Sequence, residues 1–333
     1  MTSLYITEDY AVIKKHQQRI VVQKDDRILL EVPSFKIDKI LLFGKIQITA
    51  DAIEWLLENN IDVAFFNQYG RLKAKLQNIE SKNVYLRILQ YETYQDEKRR
   101  LSIAKSIVKG KIENMISFIK KFHKNHPDIS FDEEINFLKK SVELLERKQH
   151  IGGVLGVEGV ACSVYFGSFN KFLLNPHWHG SFSGRTKRPP RDPLNSLLSL
   201  GYSLVTNELV SVLCGVGFDP YVGFLHEIDY GRPSLAVDLL EEFRVAVVDR
   251  VVIEMVNNRV ISIDDFDYKE NTVLMKKESL KKFFEHFDRK LNTSFRDYFT
   301  QQEITYRKAF YIQTQKLAKA IYENINYTPF CFF

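Results

Sequence analysis

The 333-residue sequence predicts an α+β protein, with a small β-rich amino-terminal domain over residues 1–83 and a larger all-helical domain over residues 84–333. Short β-branched runs separated by turn residues fill the first eighty or so positions. From about Asn83 onward, apolar residues instead recur at helical intervals among many Lys and Arg. The composition, 45% hydrophobic and 27% charged, is that of a globular protein, and the length suits two domains of ordinary size.

Taken in order, "SLYIT", "AVIKK", "RIVVQ", "RILLEV" after the turn-like "KDD", and "KILLFG" read as strands. Thr49 opens a helix over "DAIEWLLENN"; "IDVAFFN" returns to strand pattern, and "QYGRLKAKL" predicts a turn and a last strand. The polar "NIESKN" at 78–83 is the expected linker. Beyond it, Val84, Ile88 and Leu89, then Val108, Ile112, Met115, Ile116 and Ile119, keep helical spacing, and Pro127 separates two helices. The closing "NINYTPFCFF" is apolar enough to dock on a core or on a partner.

Several function classes fall away. No run approaches the roughly eighteen apolar residues of a membrane span, and "MTSLYITEDY" lacks a secretory pattern, so the expected location is the cytosol. Cys162, Cys214 and Cys331 are far apart and form no CxxC pair, which argues against a disulfide framework or a structural zinc. Cys331 also stands at the wrong place for prenylation. A net charge of +5 permits a polyanionic partner.

Three constellations carry chemistry. Glu158 sits in "GVLGVEGVACSVYFGSF", where an unpaired ionised carboxylate needs a cation, a proton or solvent. Gly152, Gly153, Gly156 and Gly159 around it permit close approach of a backbone or a ligand, with tight helix packing as the plain alternative. In "FLHEIDYGRPSLAVDLLEEFR", Pro233 and Ser234 open a helix on which Asp238 and Glu241 share a face, with His226 shortly before. Two carboxylates so placed repel unless a cation or shared proton intervenes; Arg232 or Arg244 as salt-bridge partners is the structural alternative. Finally, "SFSGRTKRPPRDPLNSLLSLGY" places Arg185, Lys187, Arg188 and Arg191 among Gly, Ser and Pro in a stiff basic loop suited to phosphates, before a helix near Pro193.

With "KGKIENM", "GVEGVACSVYF", "SGRTKRPPRDPLNSLLSLGY" and "GFDPYVGFLHEIDYGRPSLAVDLLEEFR" in this order, the chain resembles the CRISPR-associated spacer-acquisition endonuclease, the integrase subunit of the adaptation complex. The resemblance covers essentially the whole chain. It implies a divalent-metal site, Mg²⁺ or Mn²⁺, formed by Glu158, His226 and Glu241, with Asp238 as a supporting acid. It also implies double-stranded DNA as substrate, handled by the basic loop and by Arg232 and Arg244. A homodimer made largely through the amino-terminal domain and a small second subunit are further implications. The reaction it implies is attack of a DNA 3′-hydroxyl on a phosphodiester, inserting foreign fragments into a repeat array without ATP. An imidazole and two carboxylates make an N/O shell of the kind such ions take. Whether His226 is a ligand or a general base stays open.

Competing motifs are weaker. "HWH" at His177–His179 lacks a matched acidic set and reads as loop packing or a DNA contact. "LHE" is not HExxH, no paired ExxH is present, and the glycines near Glu158 do not form GxxxxGK. A stand-alone metal nuclease for branched DNA and a non-catalytic nucleic-acid scaffold are the alternative functions.

Overall fold

The computed structural model describes residues 3–67, 72–76, 83–186, 189–297 and 301–332. The chain opens with β1 (Ser3–Ile6), β2 (Val12–His16), β3 (Arg19–Lys24), β4 (Arg27–Pro33), β5 (Lys39–Phe43) and β6 (Gln47–Ile48). The helix α1 (Ala50–Glu58) and strands β7 (Asp62–Phe66) and β8 (Leu72–Leu76) follow. Asp25 and Asp26, the turn between β3 and β4, have φ of 46° and 60°, as a tight two-residue hairpin of this hand requires. Thr49 caps α1 by accepting a hydrogen bond from the Ala52 amide.

These strands make two sheets, ordered β1-β5-β7-β8 and β4-β3-β2-β6. β5 and β7 are parallel, which requires a crossover, and α1 supplies it. Side chains alternate across the first sheet. Ile40, Leu42 and Val63 join Ile13, Ile20, Val22, Trp55 and Leu56 in a small core. Leu41, Phe43, Ala64 and Phe66 point the other way, into the large core of the helices. A buried ion pair, Lys39 to Glu208 at 2.9 Å, crosses the same boundary.

The helical part comprises α2 (Val84–Gln95), α3 (Glu97–Asn125), α4 (Asp132–Glu146), α5 (Ile151–Gly167) and α6 (Pro193–Val216). Then come α7 (Ser234–Phe243), a π-helical turn at Arg244–Asp249, and α8 (Arg250–Asn257). On α3, Val108, Ile112, Met115, Ile116 and Ile119 are buried as their spacing predicts, whereas Val84 and Ile88 of α2 face solvent. The expected linker lies outside the described residues except for Asn83, whose side chain caps α2.

Two expectations need correction. The second part is not all helical: β9 (Phe266–Lys269) pairs with β10 (Thr272–Met275) ahead of α9 (Lys277–Asn292). Likewise β11 (Ser294–Arg296) pairs with β12 (Glu303–Thr305) before α10 (Tyr306–Glu323). Strands of three or four residues are too short for periodicity to separate them from loop. In addition, α6 is long and apolar enough to cross a membrane by length and composition, but 72% of that window is buried inside the protein, which makes it a central core helix.

The tail after α10 docks on the protein's own core. The Phe330 amide donates to Glu242 (2.7 Å) and the Phe332 amide to Asn114 (3.0 Å). The Asn114 side chain donates to the carbonyls of Glu242 and Phe330. Gly110 makes room for this tail, since a Cβ there would stand 2.6 Å from Pro329.

Candidate functional site

Helices α3, α5 and α7 converge on one buried ammonium. Lys111 lies on the apolar stripe of α3, four residues after Ile107 and four before Met115, and its side chain is 3% exposed. Its Nζ contacts Glu158 Oε1 from α5 and lies 2.5 Å from Glu241 Oε2 on α7. Glu158 and Glu241, two of the three side chains the resemblance implies for a metal site, thus meet across a lysine that spacing alone did not single out.

Charge fixes their ionisation. Burial alone would push Glu241 up, but Arg244, then Lys111, and more weakly His226, hold it down at about 2. For Glu158, burial again opposes ionisation and Lys111 reverses it, leaving the group below the usual glutamate range. Cys162 donates its thiol to Glu158 Oε1 at 3.1 Å; burial pushes that thiol up to about 11, so it is a neutral donor. Arg244 Nε stands 2.8 Å and Lys111 Nζ 2.5 Å from Glu241 Oε2, so this buried carboxylate oxygen is held between two cations.

Asp238 does a different job. Its carboxylate accepts from the backbone amides of Phe224 (2.6 Å), Leu225 (2.9 Å) and His226 (3.0 Å), and from His226 Nδ1 at 2.7 Å. Only a glycine fits at 223, where a Cβ would lie 2.6 Å from Asp238 Oδ2 and 2.8 Å from the Ser234 backbone. The loop is clamped onto α7, and the imidazole is fixed through one nitrogen with Nε2 left for other work. This is the arrangement found where a carboxylate orients a metal-ligating histidine. Among the described residues, no three His, Cys, Asp or Glu side chains already form a metal cage. By donor type alone, two ionised carboxylates and one oriented imidazole suit a hard divalent ion.

The expected DNA-contacting cations divide. Arg191 is exposed and Arg232 is 37% exposed, the latter donating to the Glu227 carbonyl. Arg185 turns inward, donating to the Thr186 carbonyl, to Asn195 Oδ1 at 2.6 Å and to Ser199 Oγ at 3.1 Å. Arg244 also faces inward, with its guanidinium 4.4 Å above the Tyr202 ring. Lys187 and Arg188 lie outside the described residues. His177 and His179 are exposed on either side of the buried Trp178, which anchors that loop.

Nothing beyond the helix itself would lie within 4 Å of a Cβ at Gly156, Gly159 or Gly167, so α5 carries a bare strip, which at 100° per residue faces away from Glu158 and from the buried Val154, Val157, Ala161 and Tyr165. A cleft of about 510 Å³ lined by Ser3, Tyr5, Thr7, Phe284, Asp288 and Arg289 contains none of the candidate ligands.

Comparison with known proteins adds a second line of argument. The family model for CRISPR associated protein Cas1 matches residues 4–289. The chain is 32% identical to a CRISPR-associated endonuclease Cas1 of Thermus thermophilus, over 98% of this chain and 96% of that protein. In structure it is similar to a casposase bound to integration product, with TM-score 0.86 and 25% identity over 98% of this chain and 93% of that one. A chain of a Cas6-RT-Cas1–Cas2 complex matches with TM-score 0.81 and 27% identity, over 99% of this chain and 36% of that one.

Proposed function

The chain belongs to the CRISPR-associated Cas1 family, and from that premise we propose that it is a divalent-metal-dependent DNA endonuclease and integrase that inserts foreign DNA fragments into a repeat array. The observation that carries this reading is the meeting of Glu158 and Glu241 around one cation, with His226 tied through Asp238 to the helix that bears Glu241. That the similar casposase is bound to integration product supports joining over cleavage alone.

In this reading Glu158, Glu241 and His226 hold Mg²⁺ or Mn²⁺. When bound, the ion polarises the scissile phosphate and favours ionisation of the attacking hydroxyl. Asp238 fixes the Nδ1 proton of His226, so Nε2 carries the lone pair that binds a metal or takes a proton. The attacking 3′-oxygen forms a new P–O bond as the target strand's P–O bond breaks. The proton lost by the nucleophile balances the one gained by the departing 3′-oxygen, and one phosphodiester replaces another without ATP. With water as nucleophile the same site cleaves. Arg191 and Arg232, both accessible to solvent, are proposed to contact the DNA backbone.

Residues 1–83 are assigned to dimerisation and 84–333 to catalysis. Support comes from the edge strand β4, where Ile28, Leu29 and Leu30 are exposed and Phe35 just beyond is 83% exposed. Such an apolar edge is suited to a second copy of the chain. A small second subunit is proposed from the likeness to the complex containing Cas2.

The test incubates the protein, with and without that subunit, with a labelled duplex and a supercoiled plasmid bearing a repeat. Metal-dependent covalent joining that vanishes in Glu158→Ala, His226→Ala and Glu241→Ala is the expected result. Joining that survives those changes removes the assignment. Cutting of branched DNA without joining favours a stand-alone nuclease, and unchanged DNA binding with no chemistry favours a scaffold.

A further inference from the structure

The Glu158–Glu241 pair is electrically balanced as folded. Two carboxylates, Glu158 and Glu241, face two fixed cations, Lys111 and Arg244. Neither cation is free to leave: Lys111 is 3% exposed, and Arg244, 15% exposed, is pinned between Glu241 and the Tyr202 ring. Asp238 adds a third carboxylate behind the His226 ring, hydrogen-bonded to three backbone amides and the imidazole, so the acids exceed the two fixed cations by one. Cys162 donates its thiol to Glu158 at 3.1 Å.

A divalent ion entering such a site leaves uncompensated positive charge among buried groups, which is unfavourable. A phosphodiester oxygen arriving with it restores the balance. We propose that Lys111 is a positioning residue that holds the two carboxylates together as a resident counter-ion and thereby makes divalent-metal binding conditional on DNA. The inference rests on the metal-site reading above. Before the ion arrives, the ammonium between them screens the two buried carboxylates from each other. Once it arrives, Lys111 keeps the net charge positive, so a phosphate is needed to retain it. By thermodynamic reciprocity, the metal must raise DNA affinity by the factor by which DNA raises metal affinity.

Two measurements test this. Mn²⁺ binding to the DNA-free protein, followed by its paramagnetic resonance signal, compares the wild type with Lys111→Met. Removing the competing charge should tighten Mn²⁺ at least about tenfold. Mn²⁺ should also raise the melting temperature of the variant more than that of the wild type, which loss of packing alone would not produce. Separately, fluorescence anisotropy of a labelled duplex at constant ionic strength should show wild-type DNA affinity rising at least about tenfold with Mn²⁺, and no such rise in Glu158→Ala. A folded Lys111→Met that binds Mn²⁺ no more tightly than the wild type overturns the proposal. Should that variant not fold, DNA affinity of the wild type indifferent to Mn²⁺ overturns it alone. Absence of any site-specific Mn²⁺ effect in wild type, with or without DNA, removes the metal site itself, a distinct failure.

Discussion

Glu241 and Glu242 are neighbours on α7, both buried, and they are held in opposite ionisation states. Glu241 faces Arg244 and Lys111 and is held down at about 2 against the effect of burial. Glu242 faces the tail, where burial outweighs the Phe330 amide and the Tyr327 hydroxyl at 2.8 Å and pushes it up to about 8. One helix thus carries a charged acid toward the site and an uncharged one toward the core. The difference teaches that burial alone does not decide ionisation; whether the partner is a cation or a neutral donor does.

The sharpest way to break this comparison is to neutralise each acid in turn. Glu241→Gln should lower covalent joining by at least about 100-fold, on the scale of losing a group that stabilises transition-state charge. Glu242→Gln should leave it within about tenfold, read as labelled product per unit time. Equal losses in the two variants would erase the distinction.

Next in size is pH. Between the ordinary value of 4.5 and about 8, folded Glu242 is protonated while the unfolded chain has lost that proton. Stability from this group therefore falls as pH rises through that window, by several kcal/mol, and is flat above it. Glu241 has the opposite sign: its stabilisation is present above about 4.5 and is lost as pH falls toward about 2. Urea titrations from pH 5 to 8 should show the downward slope in wild type and a flatter one in Glu242→Gln.

A smaller effect separates the tail from the charge cluster. Asn114→Ala removes bonds to the Glu242 and Phe330 carbonyls and the Phe332 amide, and should cost about 2–3 kcal/mol in urea unfolding. Mn²⁺ affinity in the presence of DNA should change little. Smallest of all, Arg191→Ala touches neither glutamate. It should weaken duplex binding a few-fold and reduce the dependence of log K on log salt by about 0.9.

Much of the site was legible because it violates composition locally. A carboxylate at 158 in an apolar run, and two acids three apart at 238 and 241, demand compensation wherever they lie, and the structure brings Glu158 and Glu241 together. The strands of the first part were legible for the same reason, since their β-branched alternation is strong. Lys111 was hidden because α3 also carries Lys105, Lys109, Lys120 and Lys121; only its register on the buried stripe distinguishes it. The inward turn of Arg185 depends on Asn195, Ser199 and Tyr202, which no local pattern of a Gly- and Pro-rich loop reveals. That Asp238 binds the His226 loop, rather than facing Lys111, is likewise a matter of tertiary path.

The bare face of α5 carries an energetic consequence. Glycine lowers the intrinsic helical preference by about 1 kcal/mol per residue relative to alanine, and α5 holds five glycines among its residues Ile151–Gly167. What keeps it wound is the opposite side, Val154, Val157, Ala161 and Tyr165 pressed into the core. The segment bearing Glu158 is therefore a rod with weak intrinsic stiffness, clamped along the edge that carries its carboxylate, and a partner laid along the bare edge would quieten the backbone from the far side.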